Sequence, residues 1–294
     1  MNSLIEQAAQ RLEQLRQAGV DWAEVTQISK PEEPTSGQAP GGVNSSTSRR
    51  VVIDFDALAL AGIVSPNAPR SEIADQFRVI KRPLISNAMG KGSAKVANGN
   101  LIMVTSALPG EGKSFTAINL ALSIATELDY TVMLVDADVG RPSVLKVLGL
   151  TAGPGLLDLV VDEEQDLSSM LLKTNIEKLT ILPSGTPHAR ATELLASEAM
   201  IRRLDDMAKR YPDRIIIFDS PPLLLATESR VLASHMGQIV MLVQAEKTLQ
   251  SEVMQALAMI EACPVKLMLL NKARVFTKGG YGYGYGYGYE PLRA

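Results

Sequence analysis

Short apolar runs recur along the middle of the chain at 101–106, 131–135, 179–182, 214–218, 238–243 and 265–270. Runs of this length are too short for helices, so they predict buried strands. Between them the apolar positions change to helical spacing, over 114–128, 192–210 and 249–260. Strands alternating with helices give an α/β fold with a mostly parallel central sheet flanked by helices. Upstream, residues 71–84 read as a short helix capped by Ser71, with Ile73, Phe77 and Ile80 on one face and Pro83 near its end. Nearer the N-terminus, Leu4, Ile5, Ala8, Leu12 and Leu15 form the apolar stripe of an amphipathic helix over 3–18. That helix reads equally well as a docking segment or as a helix packed on its own domain. Residues 31–50 are rich in Pro, Gly, Ser and Thr and predict a flexible linker. The expected organisation is an N-terminal helix and linker over 1–50, an α/β domain over 51–278 and a flexible Gly-Tyr tail over 279–294.

The strand at 101–106 breaks into a glycine-bearing turn, SALPGEGKS, and then into a helix. Strand, loop and helix in that order are the context of a P-loop NTPase. The sequence differs from G-x-x-x-x-G-K-[ST] at one position, where Ala107 replaces the first glycine. Backbone N–H groups of Gly110, Glu111, Gly112, Lys113 and Ser114 are expected to surround phosphate at a helix N-terminus, with Pro109 and Phe115 as the flanking nucleotide-contacting positions. Lys113 reaches the outer phosphates, and Ser114 ligates Mg²⁺. Glycine at 110 and 112 lets the backbone approach the ligand closely.

Two further apolar strands end in carboxylates. The run at 131–135 delivers Asp136 and Asp138, spaced so that both point the same way. In open parallel sheets, ligands bind beyond the carboxyl ends of the strands, which is where these groups sit. The run at 214–218 ends in Asp219, as a Walker B strand must if its carboxylate is to reach Mg²⁺ or its water shell. Asp136 and Asp138 also have a plainer reading, as acids that cap the next helix, and a strand-end Asp such as Asp219 is common without the P-loop beside it. Asn271 closes the last strand, where its amide reads equally as an adenine contact or a turn residue.

Composition narrows the picture. The chain has 294 residues, 46% of them hydrophobic, enough for a sizeable core. Its 29 basic and 32 acidic residues nearly balance, so nothing global favours nucleic acid or an anionic membrane surface. The single Cys263 cannot form an internal disulfide, which fits a reducing cytoplasm. No signal peptide or apolar run of about 18 residues is present, so membrane association is expected only through a partner.

Five of the seven tyrosines, Tyr281, Tyr283, Tyr285, Tyr287 and Tyr289, alternate with glycine in the tail. With only Lys278 and Arg293 nearby, a tail that stacks on nucleic acid would lack phosphate-neutralising charge. A nucleoside triphosphate site joined to a flexible row of phenols points to the tail as phosphoryl acceptor.

From about Ile53 to the C-terminus the chain resembles the bacterial tyrosine autokinases that partner polysaccharide chain-length regulators. The carriers are SALPGEGKS, LVDADVGRP, IIIFDSPP, ILPSGTPHARATELLAS and the tyrosine cluster. DQFRVIKRPLI together with DADVGRPS is most similar to the subgroup of exosortase-linked exopolysaccharide systems. The resemblance implies ATP and Mg²⁺ as cofactors, with Lys113, Asp136 and Asp138 catalytic and Ser114, Asp136 and Asp219 at the metal. It also implies a ring-shaped homo-oligomer held through an acidic and two basic residues on one helix, here Asp75, Arg78 and Lys81. A solvated face is the plainer reading of that stripe. The chain departs from the family at Gly140, where Arg is frequent, with Arg141 next to it. The family's fusion to a membrane protein is absent from the sequence, which implies a separate membrane-embedded chain-length regulator as activator and a location at the inner face of the cell membrane. Two other classes stay open: an ATPase switch that docks on a membrane partner without tyrosine transfer, and a non-catalytic scaffold.

Overall fold

The structure, a computed structural model, describes residues 48–65, 71–92, 94–210 and 213–274. The expected helix over 3–18 and the tail over 279–294 lie outside the described residues. The chain enters through β1 (Arg49–Arg50), α1 (Phe55–Leu60) and α2 (Glu72–Ala88). The central unit follows as β2 (Leu101–Ser106), α3 (Lys113–Ala125) and β3 (Thr131–Asp136). Short helices α4 (Val144–Val147), α5 (Leu156–Val161) and α6 (Leu167–Met170) lead to β4 (Leu172–Lys173) and β5 (Leu179–Leu182). Then come α7 (Ala191–Leu195), α8 (Glu198–Arg210), β6 (Arg214–Asp219), α9 (Thr227–Ala233), β7 (Gln238–Gln244), α10 (Gln250–Ala258) and β8 (Val265–Asn271).

These strands form one sheet in the order β1-β4-β5-β3-β6-β2-β7-β8. Every neighbouring pair is parallel except β4 with β5. The sheet is thus mostly parallel and flanked by helices, as the alternation of strands and helices predicts. Residues of β2 alternate between two cores: Leu101 and Met103 pack with α8 and α9, whereas Ile102 and Val104 pack with α2 and α3. A strand covered on both faces can be apolar at every position, which is why β2 reads as a continuous run. Its central place sets the P-loop between the ends of β6 and β7.

Three boundaries differ from expectation. Arg49 and Arg50, assigned to the linker, pair with Leu172 and Lys173 as an edge strand. A two-residue strand has no periodicity to reveal it. The helix expected over 71–84 continues to Ala88 with Pro83 inside it. Proline there removes one backbone bond, but Leu84 and Ile85 beyond it are buried, and that packing holds the helix together. The single helix expected over 192–210 is two, broken where the Ser197 hydroxyl accepts from the Met200 N–H at 3.2 Å. The serine competes locally for backbone donors and starts a new helix.

Candidate active site

The loop after β2 is shaped by the conformations its residues permit. Gly110 has φ 80° and Gly112 has φ 101°, both in the left-handed region where a side chain is strained. Ala107, at the first glycine position of the motif, is fully buried, and its methyl belongs to the core. Glu111 turns inward instead of facing a ligand. Its carboxylate accepts from the Leu108 N–H at 2.8 Å and from the Thr248 hydroxyl, tying the loop to the turn after β7. Phe115, in the first turn of α3, packs half-buried against the core.

Lys113 opens α3 and is buried. Burial lowers its pKa, and Asp219, Asp138 and Glu111 act in the opposite direction. The lysine therefore lies within electrostatic reach of both candidate aspartate motifs. Ser114 follows it, and its hydroxyl accepts from the Ser143 hydroxyl at 2.6 Å.

Register places the aspartates. Asp136 and Asp219 are direct partners across β3 and β6. Counting by twos, Asp136 follows Val132 and Leu134, and Asp219 follows Ile215 and Ile217; all four apolar residues face the core that contains α3. Both carboxylates therefore emerge on the face of the sheet that carries the P-loop helix. Oδ2 of Asp136 accepts from the Ser143 and Val144 N–H groups at 3.0 Å each, which fixes its rotamer at the start of α4. Its Oδ1, and both oxygens of Asp219, are buried without a hydrogen-bond partner.

Such orphaned oxygens are costly unless something else fills them. Burial pushes the Asp136 pKa up to about 6. It pushes Asp219 up to about 7, where the nearby Ser114 hydroxyl pulls down without forming a well-aligned hydrogen bond and Asp136 and Asp138 push further up. Burial also raises Asp138, whose Oδ1 accepts from the Arg141 N–H at 3.0 Å. Asp138 lines a cleft of about 440 Å³ with Pro109, Gly110, Lys113, Arg141 and Pro222.

This donor set suits Mg²⁺. Among the described residues no group of three His, Cys, Asp or Glu side chains is arranged to enclose a metal by itself. Mg²⁺ asks for less, because it keeps water and phosphate oxygens and takes one or two carboxylates. Asp136, Asp219 and the Ser114 hydroxyl supply that partial shell, and the unsatisfied oxygens are the groups such an ion would use.

The remaining expected residues fall elsewhere. The Asn271 side-chain N–H donates to the Glu111 carbonyl at 2.8 Å, so its amide nitrogen meets the P-loop backbone. Asp75 and Arg78 are exposed on α2 and pair with each other. Lys81 corrects the expected surface stripe: it is 2% exposed, donates to the Ser123 carbonyl at 2.5 Å and pairs with Glu127 at 2.7 Å. Three-residue spacing rotates a helix position by about 60° short of a full turn, so Lys81 has left the face of Asp75 and points under α2 into α3. The five tail tyrosines lie outside the described residues. Ser143 was not singled out from the sequence, although it closes the quoted motif DADVGRPS, and nothing in the sequence marked Thr248.

Residues 99–269 match the AAA domain family. Tyrosine-protein kinase CpsD of Streptococcus agalactiae is 33% identical over 189 residues, covering 62% of this chain and 80% of that protein. Tyrosine-protein kinase ptk of Acinetobacter johnsonii is 33% identical over 171 residues, or 58% of this chain, which spans only 23% of that longer protein. The crystal structure of the chimerical protein CapA2B2 superposes with a TM-score of 0.59 at 28% identity, over 76% of this chain and 93% of that one. With an AAA domain built around its P-loop and a relative of this similarity matched over most of its length, the chain belongs to the bacterial tyrosine-protein kinase family.

Proposed function

We propose that the chain is an ATP-dependent protein-tyrosine autokinase that phosphorylates Tyr281, Tyr283, Tyr285, Tyr287 and Tyr289 on a neighbouring copy of itself. The observation that carries this reading is the matched pair Asp136 and Asp219, buried with unsatisfied oxygens on the P-loop face. In the transfer, the tyrosine oxygen bonds to the γ-phosphorus of ATP as the bond from that phosphorus to the ADP oxygen breaks. The phenolic proton goes to Asp138. A phenol with a reference pKa of about 10 needs such an acceptor at neutral pH. The raised pKa of Asp138 makes it a better base than an exposed carboxylate.

Lys113 and the loop amides hold the phosphates, so most of the rate comes from positioning and charge neutralisation. Mg²⁺ held by Asp136, Asp219 and Ser114 would supply further neutralisation of phosphate charge. The neighbouring copies form a ring through the exposed Asp75 and Arg78 of α2. The activator is a separate membrane-embedded chain-length regulator of an exopolysaccharide system, which keeps the kinase at the inner face of the cell membrane. No helix among the described residues is long and apolar enough to cross a membrane.

The test is peptide mass spectrometry of dephosphorylated protein incubated with ATP and Mg²⁺. Phosphate on the tail of the wild-type protein and none in Lys113→Met supports the kinase. An unmodified wild-type tail, with ATP consumed, favours an ATPase switch.

A further inference from the structure

The loop that would hold phosphate is gripped from behind by the end of β8. Lys272 Nζ donates to the Gly110 carbonyl at 2.6 Å, and Asn271 Nδ2 donates to the next carbonyl, that of Glu111, at 2.8 Å. Across a trans peptide the carbonyl and the following N–H point in opposite directions, and the described residues contain no cis peptide. Holding the Gly110 carbonyl therefore aims the Glu111 N–H away from Lys272. Holding the Glu111 carbonyl aims the Gly112 N–H away from Asn271. These two amides lie where a P-loop meets its phosphates, and successive N–H groups aimed at one point form an anion-binding nest.

Two further features belong to the same grip. Lys272 has φ 57°, a left-handed backbone that a lysine rarely adopts and that must be held in place by its surroundings. The Asn271 amide lies so close to Gly112 that a Cβ there would approach Nδ2 to 2.3 Å. Glycine at 112 thus serves the approach of Asn271 from behind as well as that of phosphate from the front.

We propose that Asn271 and Lys272 are positioning residues that preset the phosphate-binding amides of Glu111 and Gly112. They act through the loop carbonyls and touch no phosphate themselves. The inference rests on the nucleotide-site reading above. It also gives Asn271 a role different from reading the adenine edge, the role the sequence offered for it.

The test is calorimetric binding of ADP and of inosine diphosphate, with Mg²⁺, to the full-length wild-type chain, Lys272→Met, Lys272→Arg and Asn271→Ala. Lys272→Met and Asn271→Ala should each weaken binding about tenfold, or about 1.4 kcal/mol. The loss should be equal for the two nucleotides because both present the same diphosphate. Lys272→Arg, which keeps a cationic donor, should recover most of the affinity. Thermal midpoints of the nucleotide-free proteins should not move. Unaltered ADP affinity in both Lys272→Met and Asn271→Ala overturns the proposal. So does an Asn271→Ala loss confined to ADP, which would make the amide a reader of the base. Failure of the wild-type chain to bind ADP would instead remove the nucleotide reading, and this inference with it.

Discussion

Asp219→Asn removes a charge that the fold holds in a place water cannot reach. The carboxyl is fully buried and its pKa is pushed from 3.8 to about 7. The folded protein therefore binds this proton more tightly than the unfolded chain does. The sign follows from linkage: stability is unaffected well below pH 3.8, falls as pH rises, and levels off above about 7. At about 1.4 kcal/mol per pH unit, the loss approaches about 4 kcal/mol at pH 8. Asn carries no charge at any pH. It does bring an amide that must be packed, but that cost is the same at every pH and cancels in a comparison. Relative to wild type, the variant should therefore gain about 3–4 kcal/mol in stability between pH 4 and pH 8. For a domain of this size that is roughly 6–15 °C in melting temperature. The assay is urea or thermal unfolding of metal- and nucleotide-free protein at the two pH values, in chelator. Mg²⁺ with ADP should then stabilise wild type far more than the variant. An Asp219→Asn effect of the same size at both pH values would refute the reasoning, because it would mean that the carboxylate is not paying for its burial in the folded state.

Other substitutions separate fold from function. Among the described residues, Lys81→Met leaves the Glu127 carboxylate paired with the exposed Arg82 alone, 3.4 Å away, and should cost about 2–4 kcal/mol by urea unfolding. Arg78→Ala breaks only an exposed pair and should stay within about 0.5 kcal/mol of wild type, while weakening the proposed ring as read by light scattering. A large stability loss in Arg78→Ala, or none in Lys81→Met, would reverse this division. Gly112→Ala puts a methyl 2.3 Å from Asn271 Nδ2 at a residue with φ 101°. It should lower ADP affinity more than about tenfold, in addition to the roughly 1–3 kcal/mol of folding stability that a side chain in this left-handed backbone costs, and wild-type affinity in that variant would contradict the packing described.

The sequence carried the sheet because its central strands are covered on both faces and so are apolar throughout, as in β2, β3 and β6. It missed β1 and β4, whose two-residue pairings exist only through tertiary contact. The loop, Lys113 and the strand-end aspartates were legible from spacing alone, since a P-loop and a strand ending in Asp each leave a local pattern. What those residues do once folded was less so. Glu111 lies in the motif, yet its carboxylate serves the Leu108 N–H and Thr248, a residue 137 positions away. Lys81 sits in a charged stripe, yet the rotation of α2 carries it under the helix to Glu127. Both roles depend on what a side chain meets from a distant segment, and no local periodicity encodes that.

The most direct test of the central claim follows the γ-phosphate itself. Dephosphorylated full-length protein is mixed with γ-labelled ATP and Mg²⁺ for a single turnover, and the label is divided between tail peptide and free phosphate. The account predicts label on tyrosines of the tail, lost in Lys113→Met. Label recovered only as free phosphate, with the tail unmarked, would contradict it.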